Sequence, residues 1–284
     1  MSYQAELVGV LGTPVAENPT GVMQEAAFRE LGLNWRYLTI EVTPDDLRNA
    51  MLGVRAMGFR GLNLTIPHKV SVIPFLDALS ESARLIGAVN TVRREGDRLV
   101  GENTDGLGFL RGLREDAKVD PSGKRVVLLG AGGAARAIAT ELLLAGASSL
   151  EIVNRGRERG EDLASDLQTL GRGSVTFTLW PDPVYAVPGD ADVLVNATSV
   201  GLFPNVDAMP SVDLRPAARS MLIADAVFNP AETRFLRTAR SHGFPTLDGL
   251  SMLVYQGVIG FEIWTGLKAP EAVMKAALSA ELVK

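Results

Sequence analysis

Apolar and polar positions alternate between two rhythms along this chain. Short, nearly unbroken apolar runs read as buried strands, and longer stretches with apolar residues every three or four positions read as helices. AELVGVLG (5–12) is a strand running into Gly-Thr-Pro, TGVMQEAAFRELGL (20–33) a helix that stops near Gly32, and WRYLTIEV (35–42) a second strand. TPDDLRNAMLGVRAMG (43–58) predicts a helix with Thr43 as N-cap, Pro44 at the first helical position and Gly58 as its end. FRGLNLTI (59–66) is a third strand, followed by the short segments AVNTVRRE (88–95) and RLVGENTD (98–105) and a helix over 106–117.

The second half opens with a complete strand–turn–helix–strand unit, DPSGKRVVLLGAGGAARAIATELLLAGASSLEIVNR (120–155). Further strands are expected at SVTFTL (174–179), ADVLVNAT (191–198) and MLIADAVF (221–228), then helices at 251–266 and 270–284. Strand–helix alternation predicts mostly parallel sheets. The expected architecture is α/β with two lobes. Residues 1–105 plus 242–284 form an N-terminal α/β substrate domain, and 106–241 form a Rossmann dinucleotide-binding domain. The C-terminal helices return to the first lobe, and a cleft between the lobes is the natural ligand site.

Composition narrows the chemistry. The chain has 284 residues, 46% apolar and 21% charged, which is ordinary globular usage. It has no cysteine and only two histidines, so thiolate catalysis and disulfides are excluded and no metal site is expected. A net charge of −5 gives no reason to expect a nucleic-acid partner. The N-terminus lacks a basic segment followed by a long apolar core, and runs such as AIATELLLAGA (137–147) are too short and polar to span a bilayer. A soluble, cytoplasmic monomer or homodimer without a membrane partner is the expectation.

The most specific local pattern is VVLLGAGGAARA, with Gly130, Gly132 and Ala135 in a G-x-G-x-x-A arrangement between a strand and a helix. Gly130 permits the turn, Gly132 lets backbone approach a pyrophosphate, and Ala135 lets helix pack closely on strand. A glycine-rich corner without a ligand would look the same, but the surrounding elements favour a dinucleotide. The next strand ends at Asn154-Arg155 without an acid there, and Glu151 sits three residues early. Asn154, Arg155, Arg157 and Arg159 suit a ribose 2′-phosphate, which favours NADP over NAD, although the same arginines could be a solvated loop.

Three polar segments lie in the first lobe. GLNLTIPHK (61–69) delivers Asn63 and Thr65 from a strand and Lys69 in the first turn of a helix, IGAVNT (86–91) carries Asn90, and GENTDGLG (101–108) places Asp105 before a helix. Taken singly these are a surface lysine, a turn residue and an N-cap. His68 reads as helix surface or as a residue behind the site, and Trp35, Trp180 and Trp264 as packing residues.

In order along the chain, GLNLTIPHK, IGAVNT, GENTDGLG, GAGGA, NR, NATSVG and GLSMLVYQG resemble the shikimate dehydrogenase family, over about residues 7–262. The resemblance implies reversible reduction of 3-dehydroshikimate to shikimate, a cyclic hydroxy acid, with NADPH. It implies a catalytic pair of Lys69 and Asp105, with Lys69 exchanging the proton of the reacting hydroxyl. Thr65, Asn90 and Gln256 would bond ring hydroxyls. Gly130, Gly132, Gly133 and Ala134 would line the pyrophosphate, and Asn154 and Arg155 the adenosine ribose and its 2′-phosphate. Asn196, Thr198 and Gly249 would lie near the nicotinamide.

The resemblance breaks at two places. The family's first loop reads P-I-x-H-S-x-S-P and uses its serines for the substrate carboxylate, whereas here Glu17 replaces the histidine and Asn18 and Thr20 replace the serines. Phe228 stands where the family usually has tyrosine. These changes imply a paralogue with the same chemistry, acting on shikimate or on quinate, an aminoshikimate or another ring acid, the alternatives including use of NAD. The rivals are a methylenetetrahydrofolate dehydrogenase and a non-catalytic dinucleotide-binding regulator.

Overall fold

A computed structural model describes residues 3–282. The chain divides into two compact units, one running to Thr104 and resuming at Gln256, the other spanning Asp105–Tyr255.

The first unit contains β1 (Glu6–Gly12), α1 (Thr20–Glu30), β2 (Trp35–Glu41), α2 (Leu47–Ala56), β3 (Gly61–Leu64), α3 (His68–Ser71), β4 (Ala78–Leu79), α4 (Glu81–Ile86), β5 (Thr91–Glu95) and β6 (Arg98–Glu102). The strands form one sheet in the order β2-β1-β3-β5-β6-β4. β1 pairs in parallel with both β2 and β3, but β5 runs antiparallel to β3 and β6. The sheet is thus mostly parallel with one reversal at β5, because only Gly96 and Asp97 join β5 to β6 and so short a link can only make a hairpin.

The chain leaves β1 through α1 to β2 on one side, then returns through α2 to β3 on the other. Leu47, Met51 and Val54 of α2 pack with Leu11, Leu62 and Leu64 of the sheet. Met23, Ala27 and Phe28 of α1 are buried elsewhere, with the Phe28 ring 5.6 Å from that of Phe261. The carboxyl ends of β1 and β3 therefore border a point where the strand order reverses, the place at which open α/β sheets bind ligands.

The second unit contains α5 (Thr104–Glu115, Thr104 itself belonging to the first unit), β7 (Arg125–Leu129), α6 (Gly133–Leu144), β8 (Ser149–Asn154), α7 (Arg157–Gln168), β9 (Ser174–Leu179), β10 (Tyr185–Ala186), β11 (Val193–Asn196), β12 (Val212–Asp213), β13 (Leu222–Asp225), α8 (Arg234–Ser241) and β14 (Thr246–Leu247). Its main sheet, β14-β13-β11-β7-β8-β9, is wholly parallel and carries an apolar cluster on each face. That is the Rossmann arrangement. α9 (Gly249–Thr265) begins in this unit and ends in the first, where α10 (Glu271–Leu282) packs on α1.

Two boundaries differ from the expected ones. α2 starts at Leu47, not after Thr43, because Thr43 and Asp46 close a turn of their own: the Asp46 N–H donates to the Thr43 carbonyl, and the Thr43 hydroxyl donates to the Asp46 carboxylate at 2.9 Å. The return to the first unit comes at Gln256, not 242, because Thr246–Leu247 pairs with β13 as an edge strand of the second sheet. The last two residues of the helix expected over 270–284 lie outside the described residues.

Candidate active site

In the first unit the loops after β1 and β3 are held side by side. The Thr13 N–H donates to the Ile66 carbonyl and the Thr65 N–H to the Leu11 carbonyl, each at 3.0 Å. On the first loop, the Asn18 side-chain oxygen accepts the Thr20 N–H at 3.0 Å. Thr20 is buried at the start of α1, and its hydroxyl has no hydrogen-bond partner among the described residues. The half-buried Thr65 hydroxyl is unpartnered in the same sense.

Lys69 is the second residue of α3, a single turn that cannot hold itself in place. His68 supplies the seat. It is fully buried, and its Nε2–H donates to the Val42 carbonyl at 2.7 Å. The surface reading of His68 is thereby corrected: α3 turns inward, because a helix this short lies flat on the core. The Lys69 carbonyl accepts the Val89 N–H at 2.7 Å.

Asn90 adjoins Val89 and is buried. Its Oδ1 accepts the Thr104 N–H at 2.7 Å, and its Nδ2 donates to the Thr104 hydroxyl at 3.0 Å. Thr104 is followed directly by Asp105, the second residue of α5. Behind Asn90 lies a polar network that the sequence pattern left unread. The Tyr37 hydroxyl donates to Asn63 Oδ1 at 2.7 Å, and Asn63 Nδ2 donates to the Asn90 carbonyl and the Thr91 hydroxyl. Gln256 is buried in α9.

In the second unit β7 ends at Gly130, whose φ is +110°. A Cβ there would stand 2.9 Å from the Ala197 carbonyl oxygen, so glycine is required both by conformation and by the close approach of the chain leaving β11. Gly132, Gly133 and Ala134 are exposed, and a Cβ on either glycine would meet nothing within 4 Å. No side chain caps α6. Its first amides thus face open space, an arrangement that fits a pyrophosphate. Asn154 donates to the Gly156 carbonyl at 2.8 Å, and Arg157 is paired with Glu161. Arg155 and Arg159 are exposed and have no carboxylate partner among the described residues, which leaves them available to a phosphate.

Asn196 ties the ends of two strands to their loops. It is fully buried: its amide nitrogen donates to Asp225 at 2.9 Å and to the Val200 carbonyl, while its oxygen accepts from the backbone and hydroxyl of Thr198. Its polar atoms hold the loops after β11 and β13 in place. Gly249 likewise answers a packing need, since a Cβ there would lie 2.4 Å from the Val227 carbonyl oxygen. Phe228 is half-buried in the loop after β13.

Asp225, which no motif singles out, is the hub of this corner. It also accepts the Val227 N–H at 3.0 Å and the Thr233 hydroxyl at 2.7 Å. Burial pushes its carboxyl up to about 6 despite the three donors that favour the anion. Its position at the end of an apolar strand was the only available clue.

Comparison with known proteins accounts for nearly the whole chain. The family model for the shikimate dehydrogenase substrate binding domain matches residues 10–92, that for shikimate / quinate 5-dehydrogenase matches 114–223, and that for the shikimate 5'-dehydrogenase C-terminal domain matches 249–278. The shikimate dehydrogenase (NADP(+)) of Desulforamulus reducens is 42% identical over 282 residues, covering 99% of this chain and 97% of that protein. Ligand-free 5-ketofructose reductase of Gluconobacter sp. strain CHM43 superposes with a TM-score of 0.94 at 44% identity, covering 98% and 99%. Shikimate 5-dehydrogenase of Thermus thermophilus, in complex with NADP(H) and shikimate, gives 0.84 at 35% identity, covering 97% and 99%.

Proposed function

The chain belongs to the shikimate dehydrogenase family, and from that premise we propose that it is an NADP-dependent oxidoreductase interconverting a ring hydroxyl and a ketone, with shikimate and 3-dehydroshikimate as the reference pair. Its relatives are named for shikimate and for 5-ketofructose, and the substrate falls within the polyhydroxylated compounds that these share. The observation that carries the reading is the buried seat of Lys69 beside Thr65, at the reversal of strand order where a ligand is expected.

NADP, when bound, supplies or accepts the hydride. The chain's own task is to hold the ring carbon and move one proton. Lys69 is suited to exchange that proton with the reacting oxygen, and Asp105 to orient and electrostatically support the amine. The hydroxyl of Thr65 and the amides of Asn90 and Gln256 are suited to ring hydroxyls. The α6 amides at Gly132, Gly133 and Ala134 would hold the pyrophosphate, with Arg155 and Arg159 on the 2′-phosphate.

The test is Lys69→Ala, followed by nicotinamide absorbance with shikimate. Turnover should fall roughly 100- to 10,000-fold while NADP binding persists. A protein that binds NADP, turns over no polyhydroxylated substrate and is indifferent to Lys69→Ala is the non-catalytic regulator instead. No helix among the described residues is long and apolar enough to cross a membrane.

A further inference from the structure

We propose that the carboxyl edge of β1 and β3 accepts an uncharged polyhydroxylated ketone at least as well as a ring acid, giving the chain a further activity: NADPH-linked reduction of such a ketone to its alcohol. The inference rests on the oxidoreductase reading above and specifies the far end of its substrate.

The loop after β1 is poorly made for a carboxylate. At the start of α1 the Thr20 N–H is one of the amides an anion would take, and the Asn18 side-chain oxygen already accepts it at 3.0 Å. An oxygen lone pair therefore stands where a donor would be needed. Pro19 has no N–H and the Val22 N–H is given to the Pro19 carbonyl, so of the first amides of α1 the Gly21 N–H alone is left for a ligand. Glu17, exposed in the same loop and without a cationic partner among the described residues, adds a formal negative charge. Across residues 13–20 and 65–71 the one ammonium is that of Lys69, which the reaction uses, and His68 is buried on the Val42 carbonyl.

What remains is neutral. The hydroxyls of Thr20 and Thr65 each donate and accept, and Asn18 has its amide N–H groups to offer. These match the hydroxyls of an uncharged substrate. The family's loop gives a carboxylate two serine hydroxyls, whereas here Thr20 keeps one hydroxyl and Asn18, in place of the other, turns its side-chain oxygen to the Thr20 N–H. In the reaction the carbonyl carbon receives hydride from NADPH, the C=O π pair moves onto oxygen, and that oxygen takes a proton from the Lys69 ammonium. The ketone is reduced and NADPH is oxidised to NADP+.

The experiment titrates 5-ketofructose and 3-dehydroshikimate into the enzyme loaded with NADP+, where neither can react, and measures kcat/KM for both with NADPH. The neutral ketone should bind at least as tightly and be reduced with at least equal kcat/KM. The double variant Asn18→Ser, Thr20→Ser should shift the ratio of affinities toward dehydroshikimate by about tenfold or more. Tighter wild-type binding of dehydroshikimate, or no detectable reduction of the ketone, overturns the inference and leaves the oxidoreductase reading intact. If neither compound is turned over while NADP+ binds, the oxidoreductase reading falls, and this inference with it.

Discussion

Asn90 and Thr104 are clasped side chain to chain: Asn90 Oδ1 accepts the Thr104 N–H at 2.7 Å and Asn90 Nδ2 donates to the Thr104 hydroxyl at 3.0 Å. The clasp matters because of its neighbours in sequence. Val89 is bonded to the Lys69 carbonyl, and Thr104 is the residue before Asp105. The backbones carrying the proposed proton donor and its supporting acid are thus tied through one buried amide. Asn90→Ala would orphan the buried Thr104 N–H and leave the Thr104 hydroxyl to the Thr91 hydroxyl alone, at a cost of roughly 1–3 kcal/mol. Urea unfolding should register that loss. The kcat should fall while the Kd for NADP stays put, and an equally stable, equally active variant would show that the clasp is dispensable.

His68 makes the same kind of case from beneath Lys69. Truncation to alanine removes a buried ring and its bond to the Val42 carbonyl, which should cost about 2–4 kcal/mol. Beyond the lower Tm, the kcat should decline with little change in NADP affinity, because the glycine turn is untouched. Unaltered kcat in a folded His68→Ala protein would mean that α3 needs no such anchor.

Arg155 and Arg159 decide which dinucleotide is preferred. With neither paired to a carboxylate among the described residues, a 2′-phosphate gains their charge-assisted bonds whereas NAD does not. Arg155→Glu should weaken NADP binding by about tenfold or more and leave NAD nearly unaffected. Fluorescence titration of both reduced cofactors measures this, and a parallel loss for the two would refute the assignment.

Asp225 predicts an unusual dependence of stability on pH. Its folded-state value of about 6 lies above the ordinary carboxylate value near 3.8, so the folded protein binds more protons than the unfolded chain between those values. Stability from this group is therefore greatest below pH ~4 and declines as pH rises through ~6, by an amount on the order of 3 kcal/mol. Asp225→Asn removes the titration. Denaturant unfolding of both proteins at several pH values across that window should show the wild type losing stability relative to the variant as pH increases. Parallel curves would indicate a carboxyl that is not raised.

The strands were the legible part of the fold because their apolar runs are buried on both faces. In β7, for instance, Val126, Val127, Leu128 and Leu129 are all at or below 3% exposure, so no polar position interrupts the run. The glycine turn was legible because its geometry tolerates few residues, as the φ of Gly130 shows. What escaped were features set by particular partners. The start of α2 depended on a bond between Thr43 and Asp46 that propensity does not encode. The inward turn of His68 depended on a carbonyl 26 residues away, and the role of Asn196 on a carboxylate 29 residues away. β14 is two residues long and exists only because β13 lies beside it.

The discontinuity of the first unit has a consequence for synthesis on the ribosome. Its N-terminal segment ends at Thr104, yet Phe261 of α9, which stacks on Phe28, and the whole of α10, which covers α1, arrive only after residues 105–255 have been made. At bacterial-to-eukaryotic elongation speeds that is a wait of roughly ten to thirty seconds. Throughout it Met23, Ala27 and Phe28 stay uncovered on a nascent chain, while the uninterrupted Rossmann unit can collapse as it emerges. The first unit to be started is therefore the last that can be completed, and the apolar face of α1 is the surface left for a nascent-chain chaperone to meet.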